Sequence, residues 1–289
     1  MNAKRLQPVS TEWPVFRRRI RHVPGRRALV AIVAALCLCA LVPERTAAQT
    51  AVRPPAKTEQ ERNDFKAAYA LKSAAPAEAA ANDFAARYPE SELSRYLYSN
   101  AMVLYQRENK TDKMLAMGDK VLSYDPDNSL ALVLTATAVA DSLGDHDRDR
   151  ERKIGIIKRN ANRAIQTAET SFGYTPSTGP QTAAVYKTTL QSMAYAALGI
   201  MKLKTGDDAG AEKDLKLAAD LTKIRPDPYV WYHLALAQDH RKKYTAALNS
   251  VEQALQLASS NPDLQKLAEI EQERLSGLAR GPRTPAEPQ

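Results

Sequence analysis

The sequence predicts an all-α fold built as an array of antiparallel helical hairpins. Its 289 residues are 44% hydrophobic but only 6% aromatic, and two are cysteines. This composition suits helices that pack through small residues and argues against a disulfide-stapled fold. Apolar residues recur at helical spacing. Two segments, "YAALGIMKLKTGDDAGAEKDLKLAADLTKIRP" from Tyr195 and "WYHLALAQDHRKKYTAALNSVEQALQLASSNP" from Trp231, carry one pattern 36 residues apart, which is typical of stacked repeats.

Residues 1–48 are predicted to form a secretory signal peptide or, if uncleaved, an N-terminal membrane anchor. They hold nine of the 41 basic residues and two of the 33 acidic ones, which leaves 32 basic and 31 acidic residues in the rest. The net charge of +8 therefore belongs mostly to this leader and does not indicate a nucleic-acid partner. A 15-residue apolar run begins at Ala28 and ends at Val42. A membrane span needs about 20 residues, so cleavage after Ala48 and export to the periplasm or the medium is the expectation.

The cysteines bear on lipidation and disulfides, and local composition predicts the bounds of the remaining segments. Cys37 and Cys39 both lie in the apolar run, each preceded by leucine, so lipidation is not expected. A cleaved protein would have no cysteine, which excludes disulfides and zinc–thiolate sites. We predict a linker at residues 49–58, a helical repeat domain at 59–279 and a disordered, Pro-rich tail at 280–289.

The two aligned segments share a helix face that mixes bulky and small residues. Tyr195, Leu198 and Gly199 correspond to Trp231, Leu234 and Ala235, and Ala211, Leu215, Ala218 and Pro226 correspond to Ala247, Val251, Ala254 and Pro262. A glycine inside a helix costs about 1 kcal/mol relative to alanine. Its presence at position 199 therefore predicts a helix packed very closely at that point.

This pattern resembles the tetratricopeptide repeat (TPR) family, W-x2-L-G-x2-Y, then A-x3-F-x2-A, then P. Lys202 and Gln238 depart from it, standing where the first helix should end in an aromatic residue. Weaker copies include "YSNAMVLYQRENKTDKMLAMGDKVLSYDP" from Tyr98, and "AANDFAARYPESELSRYLYSNAMVLY" is similar to repeats of periplasmic cell-envelope proteins such as Tol-Pal coordinators. The resemblance implies a right-handed superhelical array, a TPR-like α-solenoid of about five hairpins with a capping helix over residues 263–278.

The resemblance also implies a concave groove lined by the first helix of each hairpin. The residues that the period places there are Tyr96, Val103, Val133, Met193, Ala196, Ile200, Tyr229, Tyr232 and Leu236. Relatives that clamp a peptide's terminal carboxylate use lysine and asparagine at these places, so that activity is not carried over. Apolar and aromatic residues suit an apolar peptide or an amphipathic helix. The alternative is that these residues pack on neighbouring helices.

One hairpin is irregular. The pattern stays helical over residues 148–169, is broken by "TSFGYTPSTGPQ", and resumes near Thr182, about ten residues before the repeat requires. Ten helical residues extend about 15 Å. This hairpin is therefore predicted to project, with Phe172 and Tyr174 near its tip as a second docking point. The alternative is a tip folded back onto adjacent helices.

Two other segments have the composition of metal sites without their spacing. "GDHDRDRE" from Gly144 lacks the glycine and glutamate of a calcium loop and is predicted to be a solvated turn within a basic run. His233 and His240 share a helix face but have no carboxylate as third ligand, so no metal or other cofactor is predicted. The predicted function is a non-enzymatic scaffold of the cell envelope that binds an unidentified protein or peptide. The alternatives are a membrane-anchored accessory subunit of an envelope assembly machine, and an enzyme or small-ligand carrier that uses the histidine region.

Overall fold

A computed structural model describes residues 56–168 and 180–279, and all the regular elements in these two ranges are α-helices. In chain order they are α1 (Glu59–Tyr69), α2 (Ala74–Arg87), α3 (Ser94–Arg107), α4 (Thr111–Tyr124), α5 (Ser129–Ser142), α6 (Arg150–Thr167), α7 (Pro180–Lys204), α8 (Asp208–Leu221), α9 (Pro228–His240), α10 (Tyr244–Leu257) and α11 (Pro262–Ala279). Within these ranges no helix combines the length and apolar character of a membrane span.

Consecutive helices pack as hairpins, and each hairpin packs on the next. The pairs α3–α4, α5–α6, α7–α8 and α9–α10 make the most extensive contacts, while α1 packs on α2 and α3, and α11 covers α10. The predicted all-α solenoid of helical hairpins is confirmed. The last helix, expected over residues 263–278, runs from Pro262 to Ala279.

The 36-residue period is reproduced by the helix bounds. Helix α8 begins at Asp208 and ends at Leu221, and α10 begins at Tyr244 and ends at Leu257, so both ends are displaced by the same 36 positions. The preceding helices end at Lys204 and His240, again 36 apart. The two hairpins are therefore structural copies of one unit.

A three-residue turn of one type closes three of the hairpins. Its middle residue has a left-handed backbone, with φ of 57° at Asn109, 82° at Gly206 and 59° at Lys242. After each such residue the next N–H donates to a carbonyl five residues back, as from Lys243 to Gln238 at 2.9 Å. This is the Schellman arrangement that ends helices with a left-handed residue. Glycine occupies that position without strain only in the α7–α8 turn.

Lys202 and Gln238, which depart from the repeat pattern, both bond to a polar residue of the next helix. The Lys202 ammonium lies 2.7 Å from a carboxylate oxygen of Asp214, which is 7% exposed. One repeat later, Ser250 donates to the Gln238 side-chain oxygen at 2.7 Å. Both pairs join the first helix of a hairpin to the second at the same register. A polar bond thus replaces the aromatic contact expected there.

Gly199 lies at a close helix–helix approach, as its position in the pattern predicts. A Cβ atom at Gly199 would stand 2.6 Å from Leu215 Cγ and 3.3 Å from the Ala211 carbonyl oxygen. Ala211 and Leu215 are fully buried. Helices α7 and α8 can pack at this distance only because position 199 has no side chain.

The two helices on either side of the break, α6 and α7, are longer than the helices of the other hairpins. The helix predicted over residues 148–169 runs from Arg150 to Thr167, and the next begins at Pro180 rather than near Thr182. Helix α6 has 18 residues and α7 has 25, against 13 or 14 in each helix of the α3–α4 and α9–α10 hairpins. Phe172 and Tyr174 lie outside the described residues, so the projecting tip stays a prediction.

Candidate functional site

The residues predicted to line the groove divide into buried and half-buried sets; together they are called here the first-helix face. The buried ones are Val133, Met193, Ala196, Ile200, Tyr229 and Tyr232, all at most 8% exposed. Tyr96, Val103 and Leu236 are half-buried and pack on the edge of the core. The period therefore identifies residues that face another helix as well as residues that keep some exposed surface. Binding of a partner by any of them stays a prediction, and only the second set has surface to offer without rearrangement.

Tyr96 is held in place by its sequence neighbour. The Arg95 guanidinium lies 5.0 Å from the centre of the Tyr96 ring, and Arg95 Nη2 donates to the Tyr96 hydroxyl at 3.1 Å. Arg95 Nη1 lies 3.7 Å from a carboxylate oxygen of Asp125 in the turn after α4. A stacked arginine limits the ring's motion and adds a cation–π attraction. The pair offers an apolar ring beside a positive charge.

Tyr229 takes part in a buried polar cluster that joins three hairpins. Its hydroxyl donates to Asp141 Oδ1 at 3.1 Å, which connects the start of α9 to the last turn of α5. Lys204 Nζ, at the end of α7, donates to the carbonyl oxygens of Ala140 and Asp141 at 2.9 and 2.6 Å. Burial raises the pKa of Asp141 to about 7, although Lys204 and the Tyr229 hydroxyl oppose the rise. Burial also lowers the pKa of Lys204.

Asp227 and His233 complete the cluster from α9. Asp227 Oδ1 caps the helix by accepting the Tyr229 N–H at 2.9 Å, and burial raises the pKa of Asp227 to about 7. His233 Nδ1 donates to the Tyr229 carbonyl oxygen at 2.9 Å, and burial lowers the pKa of His233 to about 4. The imidazole is therefore neutral at neutral pH. Asp141 Oδ2 and Asp227 Oδ2 are sealed from solvent and have no hydrogen-bond partner within the described ranges.

The two histidines of α9 do not share a site. His240 Nδ1 lies 2.9 Å from Asp208 Oδ1 at the surface, whereas His233 is 7% exposed inside the cluster. Among the described residues, no three His, Cys, Asp or Glu side chains are grouped so that they could hold a metal ion. The groups of the cluster are joined by hydrogen bonds, and burial is the main cause of their shifted pKa values.

The acidic residues of the turn before α6 are paired with the basic run that follows them. Lys153 Nζ lies 2.7 Å from Asp147 Oδ2, Arg152 pairs with Asp149 at 2.9 Å, and Arg150 Nη2 donates to the Lys204 carbonyl oxygen at 2.7 Å. These carboxylates are therefore already paired with cations on the protein. The segment holds the start of α6 against the end of α7.

A cleft of about 750 Å³ opens between α4 and α6, with α5 as its floor. Half-buried Leu115 and Leu122 on α4 face Ile156 on α6 across it. Its other lining residues are Asp119, Pro126, Asp127, Leu132, Thr135, Val139, Arg152, Arg159, Asn160, Asn162, Arg163 and Gln166. The floor and one wall are apolar, and the α6 wall is basic.

Sequence reasoning missed this cleft. Arg152, Ile156, Arg159 and Arg163 are spaced as one face of a helix, which was the available signal. The same charges also suit a solvated helix, and nothing local to α6 indicates that α4 stands apart from it. Only the packing of two hairpins creates the cleft.

Comparison with known proteins gives two structural neighbours. No family model matches the sequence, and the curated proteins include no detectable relative. A thermophilic TPR protein of Thermus thermophilus is 18% identical with a TM-score of 0.44, over 73% of this chain and 98% of that chain. The APC/C hetero-tetramer Cut9–Hcn1 is 16% identical with a TM-score of 0.35, over 87% of this chain and 48% of that chain, so the match spans about half of the latter's length.

The period and the turns define a regular repeat. Helix ends that recur after 36 residues, three-residue turns and small residues at the contact between paired helices agree with the pattern seen in the sequence. The described part of the chain is an array of helical hairpins.

Proposed function

We propose that this chain is an exported, non-enzymatic scaffold that binds another protein or peptide along the first-helix face. The observation that carries the proposal is the half-buried set Tyr96, Val103 and Leu236 on α3 and α9. These side chains combine apolar surface with a rigid helical support, which is how repeat arrays present extended binding surfaces. Aromatic side chains held in this way supply contact area at little entropic cost.

The proposal of export rests on the leader alone. A basic segment, a 15-residue apolar run and small residues after Pro43 fit a signal peptide, and the chain after residue 48 is nearly neutral. The intact mass of the protein recovered from the cell envelope tests this part. A mass that starts near Gln49 supports export with cleavage, and a full-length mass in the membrane fraction supports the anchored accessory instead. A full-length cytosolic protein contradicts both.

The binding proposal is tested by photocrosslinking in the native envelope. A benzophenone amino acid replaces Tyr96 in one variant and Leu236 in another, with Lys216, exposed on α8, as the matched control position. We expect the same partner to be crosslinked from positions 96 and 236 and not from 216. Capture only from position 216, or equally from all three, contradicts the use of the first-helix face.

A further inference from the structure

The cleft between α4 and α6 is lined by an asparagine whose amide has no hydrogen-bond partner among the described residues. Asn160 is 4% exposed and lines the cleft, and no hydrogen bond of its side chain is found within the described part of the chain. The hydroxyl of Thr135 on the floor is sealed from solvent, whereas the Asn160 amide is not, so the amide opens into the cleft. An amide that opens into a cleft without a protein partner can bond to a ligand there.

The amide also indicates what kind of ligand fits. An asparagine side chain offers two N–H donors and one carbonyl acceptor, which match the C=O and N–H of a peptide main chain. The aliphatic residues of the opposite wall and floor, Leu115, Leu122 and Leu132, suit apolar side chains. An isolated anion or a sugar would leave this apolar surface uncovered.

The length of the cleft favours an extended chain over a compact molecule. On α6 it is lined from Arg152 to Gln166, which lie fourteen positions apart on the helix. At 1.5 Å per residue this is about 21 Å. An extended peptide covers about 3.3–3.6 Å per residue, so about six residues fill this length.

The charged residues that line the cleft favour a peptide with an acidic side chain. Arg163 is occupied, because its guanidinium lies 2.5 Å from Asp127. Arg159 is exposed and lines the same wall, and no carboxylate lies within ion-pair distance of it in residues 56–168 and 180–279. Asp119 on the facing wall also has no ion-pair partner there, so the cleft holds these two opposite charges apart. An acidic side chain of a ligand would form an ion pair with the Arg159 guanidinium.

We propose that this cleft is a second docking site, and that it binds an extended peptide of about six residues. The main chain of the peptide bonds to Asn160, its apolar side chains pack on the α4 wall, and an acidic side chain pairs with Arg159. The site lies on other helices than the half-buried first-helix residues. It therefore adds to the proposed function and does not depend on it.

The test uses the full chain and a defined set of end-blocked hexapeptides. Each peptide has glutamate at one position and leucine, valine, alanine or serine elsewhere, and a matched set has glutamine in place of glutamate. Binding is measured by affinity selection and mass spectrometry. We expect glutamate peptides to be enriched about two- to fivefold over their glutamine counterparts, since an ion pair with the exposed Arg159 is screened by solvent. A wild-type protein that enriches neither set overturns the proposal.

Charge reversal locates the site. Arg159→Glu should abolish the enrichment of glutamate peptides, and Lys158→Glu, the same change one residue away and outside the cleft, should retain it. Asp119→Asn should increase the affinity, because it removes a like charge from the cleft. An equal loss in the Arg159 and Lys158 variants would mean that only net charge matters, which contradicts the proposal.

Removal of the amide separates binding from folding. Asn160→Leu removes the amide but keeps a side chain of similar size, so the variant should be about as stable as wild type while peptide affinity falls by up to about tenfold. A destabilised variant with unchanged affinity would make Asn160 a structural residue and overturn its role. Displacement of a bound glutamate peptide by laurate as effectively as by unlabelled peptide would assign the cleft to a small amphipathic anion and overturn the peptide. If wild type formed dimers in sedimentation and Arg159→Glu did not, the cleft would be assigned to a second copy of the chain, which overturns it as well. Peptide selectivity that is lost in Arg159→Glu and retained in Lys158→Glu assigns the binding to the cleft, whether or not the first-helix face binds a partner.

Discussion

Gly199→Ala tests the closest helix–helix contact of the structure with the smallest possible change. The new Cβ would lie 2.6 Å from Leu215 Cγ, a distance that real side chains do not adopt. Leu215 is fully buried, and its Cγ is the branch point of the side chain rather than a mobile end. The Ala211 carbonyl oxygen, at 3.3 Å, limits movement on the other side. Helices α7 and α8 must therefore separate.

The magnitude follows from two opposing terms. Replacing glycine by alanine within a helix gains up to about 1 kcal/mol, whereas overpacking a core costs about 1–3 kcal/mol. Gly199→Ala should thus lower the free energy of unfolding by up to about 2 kcal/mol, the difference of these two terms. Gly155 on α6 is the matched control, because a Cβ there meets nothing within 4 Å. Gly155→Ala should raise the free energy of unfolding by about 0.5–1 kcal/mol.

Urea unfolding followed by far-UV circular dichroism compares the two variants. Native-state hydrogen exchange of the α7 and α8 amides provides a local measurement, since repeat arrays can unfold in parts. We expect faster exchange in these helices for Gly199→Ala only. A Gly199→Ala protein as stable as Gly155→Ala would refute the assigned contact and, with it, the repeat register that places Gly199 opposite Leu215.

Two further predictions concern the turns and the buried cluster. A non-glycine residue with a left-handed backbone costs about 1–2 kcal/mol. Lys242→Gly should therefore raise the melting temperature and Gly206→Lys should lower it. Thermal unfolding of both variants checks this, and shifts of the same sign would contradict it. Asp141 and Asp227 have pKa values raised from 3.8 to about 7, so the folded chain retains protons that the unfolded chain loses between these values. Stability should fall as pH rises from about 4 to about 7, partly offset by His233, whose pKa is lowered from 6.5 to about 4. In urea titrations across this range, Asp141→Asn should flatten the fall, and an unchanged slope would exclude Asp141 as its source.

The sequence predicted those features that depend on local spacing. The 36-residue displacement between α8 and α10 and the close contact at Gly199 follow from the repeat period and from small residues at fixed offsets. Such features are encoded within one hairpin, where the partner residues are about a dozen positions apart. Their prediction needs no knowledge of how one hairpin sits on the next.

Features that depend on packing between hairpins were not predictable in this way. The period placed Tyr229 and Leu236 on one face, yet Tyr229 is 8% exposed and Leu236 is half-buried. This difference in exposure depends on how much of each end of α9 is covered by the neighbouring helices. Likewise, the bond from Tyr229 to Asp141 joins residues 88 positions apart, and no local pattern indicates it.

This bond changes what a substitution at Tyr229 can reveal about binding. If Tyr229 lined an open groove, Tyr229→Ala would abolish partner capture without unfolding the chain. The structure shows that alanine would remove a buried ring and leave Asp141 Oδ1 without the hydroxyl that bonds to it. Loss of a large buried side chain typically costs about 3–5 kcal/mol, so reduced capture by this variant would follow from instability alone. Leu236, half-buried and outside the polar cluster, does not have this ambiguity, and its substitution gives the more direct evidence for or against a first-helix binding face.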